Sequence, residues 1–476
     1  MNVVAHLMRR LLLLALTASL AFAWTPGQPG RAEPEQAASL SPEDTTLYLP
    51  LVLRPRYASP FGVQLLWFEN TNVNQAKQAQ TYWLRSFAFD WSKIEPTLAA
   101  PRAYDWSKVD EAGLQVAGQS GINLMATIKY TPAWAQKVPG SYCGPVAADK
   151  LDEYAAFVEE LVRRYSVAPY NVRYWEFGNE PDVDPTIISS TSPFGCWGDK
   201  NDPNYGGGYY AEMLKQVYPA IKRADPQAQV VIGGLLMSCD PVHPPKGKDC
   251  KPSRFINGIL ANGGGAYFDY ANFHGYAYFD GTKIVEETHS NWAQSGGVVF
   301  GKYNYLRSTM ASYGVDKPVI LSEASLVCPE SVVGCQPPGS TFLELQADYV
   351  VRLYARAWAQ GIKGVIWYAL DDSSWRSSSL KSYAALKPSY HAYQTMGSKL
   401  YDTRAIWSIT GYSGVQGYEF VQADRKVWVL WSTDGLPHTI ALPQNWLAVS
   451  DKYGSPITPV NGQVTVNSPI YVDVGF

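Results

Sequence analysis

Between residues 61 and 369, short runs of apolar and β-branched residues recur along the chain, and helical patterns lie between several of them. The runs are Phe61–Trp67, Trp83–Ala88, Ile122–Lys129, Val172–Gly178, Gln229–Leu235, Phe268–Tyr276, Pro318–Glu323 and Lys363–Ala369. Leu151–Tyr165 shows the clearest helical stripe, with apolar residues at i, i+3, i+4 and i+7, and Tyr209–Ala224 and Gln346–Gln360 follow the same pattern. Strands that alternate with helices in this way predict an α/β fold, a parallel (β/α)8 barrel. An open doubly wound sheet is the alternative, although no glycine-rich phosphate loop follows the first strand.

After about Leu400 the helical period is lost, and short β-rich runs separated by turn residues replace it. These runs are Tyr418–Val421, Val427–Trp431, Gln463–Val466 and Ile470–Val474. They predict a small antiparallel β-domain, of the sandwich type, over 401–476, packed on a barrel domain that occupies 48–400. Its expected role is that of a structural brace, and sugar binding is the alternative.

The first residues are typical of an export signal. Arg9 and Arg10 precede the apolar run Leu11–Ala23, which ends in Ala-Phe-Ala, as in a secretory signal peptide over 1–23. The run is shorter than the ~20 apolar residues of a membrane span. Residues 24–47, rich in Pro, Gly, Ala, Gln and Glu, predict a disordered linker. We therefore expect a secreted protein with no membrane partner after cleavage, and an uncleaved N-terminal anchor is the alternative.

Six cysteines follow this signal, and an even number in an oxidising compartment predicts disulfides. Pairing between sequence neighbours favours Cys239–Cys250 and Cys328–Cys335, which leaves Cys143–Cys196. A metal site is the competing interpretation, but the chain has no CxxC pair and no cluster of histidines, so we expect neither a metal nor another cofactor. All six cysteines fall in loops after predicted strands three, four, five and seven, where disulfides would stiffen one end of the barrel.

Charge and composition narrow the class of partner. The chain has 39 basic and 42 acidic residues, a formal charge of −3, which argues against a nucleic-acid partner. Its 16 Trp and 32 Tyr suit flat, amphipathic ligands. Oligomeric state remains open at this stage.

Two glutamates end predicted strands at the face of the barrel where catalysis takes place. Glu180 follows the fourth strand within Trp-Glu-x-x-Asn-Glu-Pro at 175–181, and Glu323 ends the seventh within Leu-Ser-Glu-Ala at 321–324. A solvated rim carboxylate is the structural alternative for each. The topology brings the two toward each other across the barrel, and two carboxyls about 5–5.5 Å apart are what retaining glycoside hydrolysis requires.

With these motifs the sequence resembles the retaining glycoside hydrolases of clan A, most closely family 39 and its relatives. The resemblance covers about residues 60 to 400. It implies a carbohydrate substrate, Glu180 as general acid/base and Glu323 as nucleophile. Further residues matched by the resemblance are Asn179 for the sugar 2-hydroxyl, Arg85 beside the nucleophile, His274 and Tyr276 as a His-x-Tyr pair, Trp367 as the aromatic floor of the subsite, and Trp134 in an aromatic loop.

Several of these positions also have purely structural interpretations. His274 is also interpretable as a core histidine, Arg85 as the counter-ion of a buried Glu176, and Trp367 and Trp134 as core rings. Loop residues Trp197 and Trp375 are candidates for stacking on sugars, and Asp371 and Asp372 are candidates for sugar hydroxyls or for a helix cap. Lys129 stands near the place where many clan relatives carry a histidine.

The sequence thus predicts a secreted retaining β-glycoside hydrolase acting on poly- or oligosaccharides. A non-catalytic carbohydrate-binding protein on the same barrel is the alternative from another class. An inverting hydrolase is a third, and it predicts carboxyls about 6.5–9.5 Å apart. The sugar, the linkage and the choice between endo and exo action stay open.

Overall fold

The computed structural model of this chain describes residues 58–189, 192–371, 375–382 and 385–476. The predicted signal over 1–23, the predicted linker over 24–47 and Asp372 lie outside these residues. In the part of the chain that is described, no helix is both long and apolar enough to cross a membrane.

Among the described residues the central sheet contains eight parallel strands, one within each of the eight predicted runs or overlapping it, and a two-residue antiparallel strand, Ile284–Val285, at its edge. The eight parallel strands are β1 (Phe61–Gln64), β2 (Trp83–Asp90), β3 (Asn123–Lys129), β4 (Tyr174–Asn179), β5 (Gln229–Gly234), β6 (Ala271–Phe279), β7 (Val319–Val327) and β8 (Gly364–Trp367). Ladder pairing runs in the order β5-β4-β3-β2-β1-β8-β7-β6. Parallel bridges from Val231 to Tyr270 and from Leu235 to Phe273 join β5 to β6 and close the sheet. The predicted (β/α)8 barrel is therefore confirmed.

Helices connect the strands and cover the outside of the barrel. They are α1 (Asn70–Gln78), α2 (Trp91–Ile94), α3 (Glu111–Gln119), α4 (Leu151–Tyr165), α5 (Gly207–Ala224), α6 (Phe255–Ala261), α7 (Phe300–Ser312), α8 (Ser340–Ala359) and α9 (Pro388–Leu400). Helix α4 has the predicted bounds. Helix α8 begins six residues before the predicted start at Gln346, because its first turn follows Gly339 and buries Phe342 against the core.

The barrel interior is layered, since alternate residues of a strand point to opposite faces. Its lower layer is apolar and contains Trp83, Met125, Val231, Ile320 and Ile366. The next inward-facing residues toward the carboxyl ends of the strands are polar and fully buried, namely Gln64, Arg85, Thr127, Glu176, Asn272 and Ser322. The polar layer thus lies directly beneath the end of the barrel at which catalytic groups are found in this fold.

The chain after α9 forms antiparallel sheets, as predicted. The strands are β9 (Ala405–Ile409), β10 (Val415–Val421), β11 (Lys426–Ser432), β12 (His438–Ala441), β13 (Trp446–Asp451), β14 (Gln463–Val466) and β15 (Ile470–Val474). Five of them pair in the order β9-β10-β11-β15-β13, and β12 pairs with β14. Residues of both sheets share one apolar cluster. The larger sheet also packs on the barrel helices, where the rings of Trp358 and Phe420 lie 5.7 Å apart.

Candidate active site

Glu180 and Glu323 meet at the carboxyl end of the barrel, and His274 lies between them. Glu180 directly follows β4, Glu323 lies within β7, and the two residues are only 6% and 5% exposed. The His274 Nδ1 atom lies 2.8 Å from Glu180 Oε1 and 3.6 Å from Glu323 Oε2. One oxygen of each carboxylate lies within 4.8 Å of the other. The structure thus brings the two predicted glutamates into one site.

Glu323 is held by donors on both of its oxygens. Arg85 Nη1 donates to Oε1 at 2.5 Å, and the Tyr276 hydroxyl donates to Oε2. Burial alone would raise the pKa of the Glu323 carboxyl, but His274, Arg85 and the hydrogen bonds from Tyr276 and Arg85 outweigh it and lower the pKa below its usual value. The Glu323 carboxyl is therefore kept ionised.

Glu176 lies one layer deeper and is the second partner of Arg85. Arg85 Nε donates to Glu176 Oε2 at 2.7 Å and Arg85 Nη2 donates to Oε1 at 3.1 Å. Thr127, Asn272 and Ser322 also donate to this carboxylate. Both interpretations of Arg85 hold together, because one guanidinium neutralises Glu176 and contacts Glu323.

Asn179 and Glu180 are oriented by an unusual strand end. The Asn179 Oδ1 accepts from Arg85 Nη2 at 2.9 Å, and the Glu180 amide donates to the carbonyl of Gly234 at 3.0 Å. Glu180 has φ +55°, in the left-handed region that favours glycine. Tyr130 at φ +63° after β3 and Met237 at φ +45° after β5 share this conformation. Backbone strain therefore concentrates at this end of the barrel.

The predicted aromatic floor needs a correction, because Trp367 does not face the site. Its side chain is fully buried on the outer side of β8 beside Tyr349 of α8, and its indole donates to the carbonyl of Ser378. Strand alternation explains this, since Ile366 points into the barrel and the next inward residue is Tyr368. The Tyr368 ring lies 6.2 Å from that of Tyr276, and burial together with the charge of Glu323 raises its pKa to about 12.

Of the other aromatic residues predicted to contact sugar, two pack within the barrel structure and one lies next to Tyr276. Trp134 is half-buried, donates to the carbonyl of Glu95 at 3.0 Å and packs edge-on against Trp91, so it belongs to the wall beside α2. Trp197 is 7% exposed and packs among the core aromatics. Trp375 is 40% exposed, and its ring lies 5.0 Å from that of Tyr276. Of these three rings, Trp375 is the one that packs against Tyr276, the residue that donates to Glu323.

Asp371 is buried, and its carboxylate binds the loop after β1. It is 3% exposed and accepts from the backbone amides of Leu66 and Trp67 at 2.8–2.9 Å. Burial raises the pKa of its carboxyl, partly offset by these amides. Asp371 therefore ties the loop after β1 to the end of β8.

Three disulfides reinforce the same face of the barrel. The pairs are Cys143–Cys196, Cys239–Cys250 and Cys328–Cys335, those that sequence proximity favours. Cys143–Cys196 joins the loops after β3 and β4, and the other two each close one loop, after β5 and after β7. All three lie on the side that carries Glu180 and Glu323.

A metal ion could also be held by Glu180, His274 and Glu323. One ligand atom from each residue lies within 4.8 Å of the other two. Among the described residues, this is the group of His, Cys, Asp or Glu side chains that lies close enough together to hold a metal ion. Imidazole nitrogen and carboxylate oxygen are ligands that Zn²⁺ accepts. The sequence offers no spacing signal for this trio, because the three residues come from three different strand ends.

Sequence comparison alone identifies no relative. No family model matches the chain, and no curated protein matches it in sequence. Solved structures share its fold. They include a family 39 glycoside hydrolase from the gut symbiont Bacteroides cellulosilyticus WH2, with TM-score 0.63 and 18% identity, covering 87% of this chain and 80% of that one.

Two further structures extend the comparison. A conserved exported protein from Bacteroides fragilis has TM-score 0.60 and 12% identity, covering 87% of this chain and 97% of that one. A family 30 subfamily 8 xylanase from Clostridium acetobutylicum has TM-score 0.55 and 12% identity, covering 88% of this chain and 96% of that one. The similarity is one of fold, and it agrees with the resemblance carried by the sequence motifs.

Proposed function

We propose that this protein is a secreted retaining β-glycoside hydrolase that cleaves O-glycosidic bonds in poly- or oligosaccharides. The observation that carries the proposal is the pair Glu180 and Glu323, whose nearest oxygens lie within 4.8 Å in contrasting surroundings. That separation supports a direct attack by one carboxylate, because an inverting enzyme needs room for a water molecule between its carboxyls.

In the first step Glu323 attacks the anomeric carbon of the sugar. A bond forms between a Glu323 oxygen and that carbon while the glycosidic C–O bond breaks, and the leaving oxygen keeps the electron pair and takes a proton from Glu180. Arg85 and Tyr276 hold Glu323 ionised and aimed before the reaction. The product of this step is a covalent ester between the sugar and the enzyme.

In the second step water replaces the enzyme. Glu180, now a carboxylate, takes a proton from the water, whose oxygen attacks the anomeric carbon as the ester bond breaks. Two displacements at the same carbon retain its configuration. Glu323 returns as a carboxylate and Glu180 as an acid.

His274 suits both protonation states of Glu180. Its Nδ1 faces Glu180 Oε1 at 2.8 Å and its Nε2 faces the Ser322 hydroxyl at 3.1 Å. With the proton on Nε2, the free Nδ1 accepts from protonated Glu180. With the proton on Nδ1, the ring donates to the carboxylate form. The imidazole thus supports the acid in one step and the base in the next.

Export and the C-terminal sheets complete the proposal. Three disulfides are typical of proteins that fold in an oxidising compartment, which supports secretion. Lys452 of the C-terminal region pairs with Glu344 at 2.9 Å and with Asp348 at 2.6 Å on α8, which supports a bracing role for residues 401–476.

The test is a screen of aryl β-glycosides and polysaccharides with the wild type, Glu323→Ala and Glu330→Ala. Glu330 is exposed in the loop after β7 and serves as the matched control. We expect hydrolysis by the wild type and by Glu330→Ala, and none by Glu323→Ala. Incubation with a 2-deoxy-2-fluoro glycoside should add one glycosyl mass to the wild type and to Glu330→Ala, and none to Glu323→Ala.

Three outcomes would contradict the proposal. Near-wild-type turnover by Glu323→Ala would exclude Glu323 as the nucleophile. An inverted first product, seen by proton NMR, would exclude retention. Binding of polysaccharide without hydrolysis of any substrate would favour the carbohydrate-binding alternative.

A further inference from the structure

A groove crosses the carboxyl ends of β2 and β3 and the loop after β1, at the same end of the barrel as the two glutamates. It is a cavity of about 400 Å³. Its lining includes the aromatic residues Trp67, Phe87 and Tyr130, the lysines Lys93, Lys108 and Lys129, and two aspartates, Asp90 and Asp110. The Asp90 carboxylate pairs with Lys93, and the Asp110 carboxylate accepts from the backbone amide of Gly113 in α3. Trp67 is 68% exposed, so it presents most of its ring to an incoming ligand. Exposed aromatic faces with an apolar body and a polar edge suit the faces of sugar rings.

The lysines of this groove differ in their partners. Lys93 pairs with Asp90 at 3.1 Å, and Lys108 pairs with Asp105 at 3.5 Å. Within the described ranges, Lys129 Nζ has no carboxylate oxygen within the 4.0 Å of an ion pair. Its hydrogen bonds, to Tyr130 at 3.4 Å and to the carbonyl of Pro193 at 3.5 Å, are long.

Lys129 is nevertheless held firmly in place. It is the last residue of β3, half-buried, and its Nζ lies 3.8 Å from the centre of the Phe87 ring and 4.7 Å from that of Tyr130. Burial, reinforced by the positive charge of Arg85, lowers the pKa of Lys129 to about 8, and the more distant carboxylates of Glu323, Asp90 and Glu176 offset part of that effect. The ammonium therefore stays mostly protonated at neutral pH while it is partly removed from water. A partly buried cation without an ion-pair partner is stabilised when a ligand supplies an anion.

We infer that this groove binds a sugar unit that carries an anionic group, a carboxylate or a sulfate ester, and that Lys129 selects it. The inference rests on the proposed glycosidase function and names its substrate class, an acidic polysaccharide. The aromatic rings contact the sugar face, and the Lys129 ammonium donates a charge-assisted hydrogen bond to the anionic group. A neutral sugar in the same place leaves the ammonium without an anion.

The test compares each polymer with its own neutral counterpart. One arm uses a uronic-acid polysaccharide and its carboxyl-reduced form, and the other uses a sulfated polysaccharide and its desulfated form. The enzymes are the wild type, Lys129→Met, Lys129→Arg and Lys363→Met. Lys363 is an exposed lysine that precedes β8, at the opposite end of the barrel, and is the matched control.

We expect the wild type to have a kcat/KM about tenfold or more higher for the anionic form in one arm, the size of one hydrogen bond to a charged group. Which arm responds identifies the carboxylate or the sulfate. Lys129→Met should abolish that ratio, Lys129→Arg should keep most of it, and Lys363→Met should leave it unchanged. Added salt should reduce the ratio, since screening weakens a partly exposed ion pair.

Three results overturn the inference, and they distinguish its failure from the failure of the proposed function. Equal kcat/KM for both forms in both arms, or an equal loss on both forms in Lys129→Met, overturns the role of Lys129 and leaves the glycosidase proposal intact. Absence of hydrolysis of every substrate in the broad screen overturns the proposed function, and the inference with it.

Discussion

Replacing Tyr276 by phenylalanine removes one hydroxyl and leaves the ring, so it isolates the hydrogen bond to Glu323. The hydroxyl donates to Glu323 Oε2, while Arg85 donates to Oε1 at 2.5 Å. In Tyr276→Phe the Glu323 carboxylate keeps the hydrogen bond from Arg85 on Oε1 and loses the hydrogen bond from Tyr276 on Oε2. The pKa of Glu323, now below its usual value, should therefore rise.

The size of the rise follows from the contacts. A hydrogen bond to a charged group contributes about 1.5–3 kcal/mol, and 1.36 kcal/mol corresponds to one pKa unit, which gives a rise of about 1–2. His274 Nδ1 remains 3.6 Å from the same oxygen and offsets part of the loss, so we expect a rise of about 1. Glu323 must be ionised to attack. The acid limb of the pH profile should therefore move to higher pH by about the same amount.

The assay is kcat/KM against pH with an activated aryl glycoside, for the wild type, Tyr276→Phe and Tyr278→Phe. Tyr278 lies two residues further along β6 and is the matched control. We expect the acid limb to move in Tyr276→Phe alone, with the melting temperature little changed. An acid limb that stays in place, even with reduced turnover, would refute the view that Tyr276 acts through the ionisation of Glu323.

Three further predictions concern the acid, the possible metal trio and the disulfides. Glu180→Gln should slow the hydrolysis of aryl glycosides with poor leaving groups by about 10²-fold or more, because these leaving groups need a proton. It should slow the hydrolysis of aryl glycosides with good leaving groups far less, and equal slowing across a leaving-group series would contradict the acid role. Millimolar Zn²⁺ should inhibit reversibly by occupying the trio, while EDTA alone should leave hydrolysis unchanged, and activity lost to EDTA would point instead to a metal-dependent reaction. Removal of the Cys143–Cys196 disulfide, which spans 53 residues, should lower the free energy of unfolding by about 4 kcal/mol, because the unfolded chain gains loop entropy. Removal of Cys328–Cys335, which spans 7 residues, should lower it by about 2 kcal/mol. Denaturant titration of the two double serine variants measures both values, and a larger loss for Cys328–Cys335 would contradict the loop-entropy account.

The sequence predicted the barrel well because its signals are local and periodic. Helix α4 has the predicted bounds because its apolar stripe is complete. Glu180 and Glu323 meet because parallel strands of a closed barrel bring their carboxyl ends to one face, whatever the loops do. The topology alone therefore predicts a shared site for two residues far apart in the chain.

What the sequence did not predict depends on which side of a strand a residue faces. Trp367 and Tyr368 are adjacent aromatic residues. Because successive side chains of a strand point to opposite faces, one of them faces the barrel interior and the other faces the helices outside it. Comparison with Ile366 would have placed Tyr368 on the inner side. The position of Trp134 depends on its contact with Trp91. A contact between a loop residue and a helix residue produces no periodic pattern in the sequence, so the sequence does not predict it.

The left-handed backbone at Glu180 bears on any attempt to engineer this protein for heat resistance. A non-glycine residue in that conformation costs about 1–2 kcal/mol. Glu180→Gly would relieve this backbone strain. A library of variants selected for thermal stability alone would therefore be enriched in variants at position 180 that are more stable and catalytically inactive, because activity and stability compete at this position.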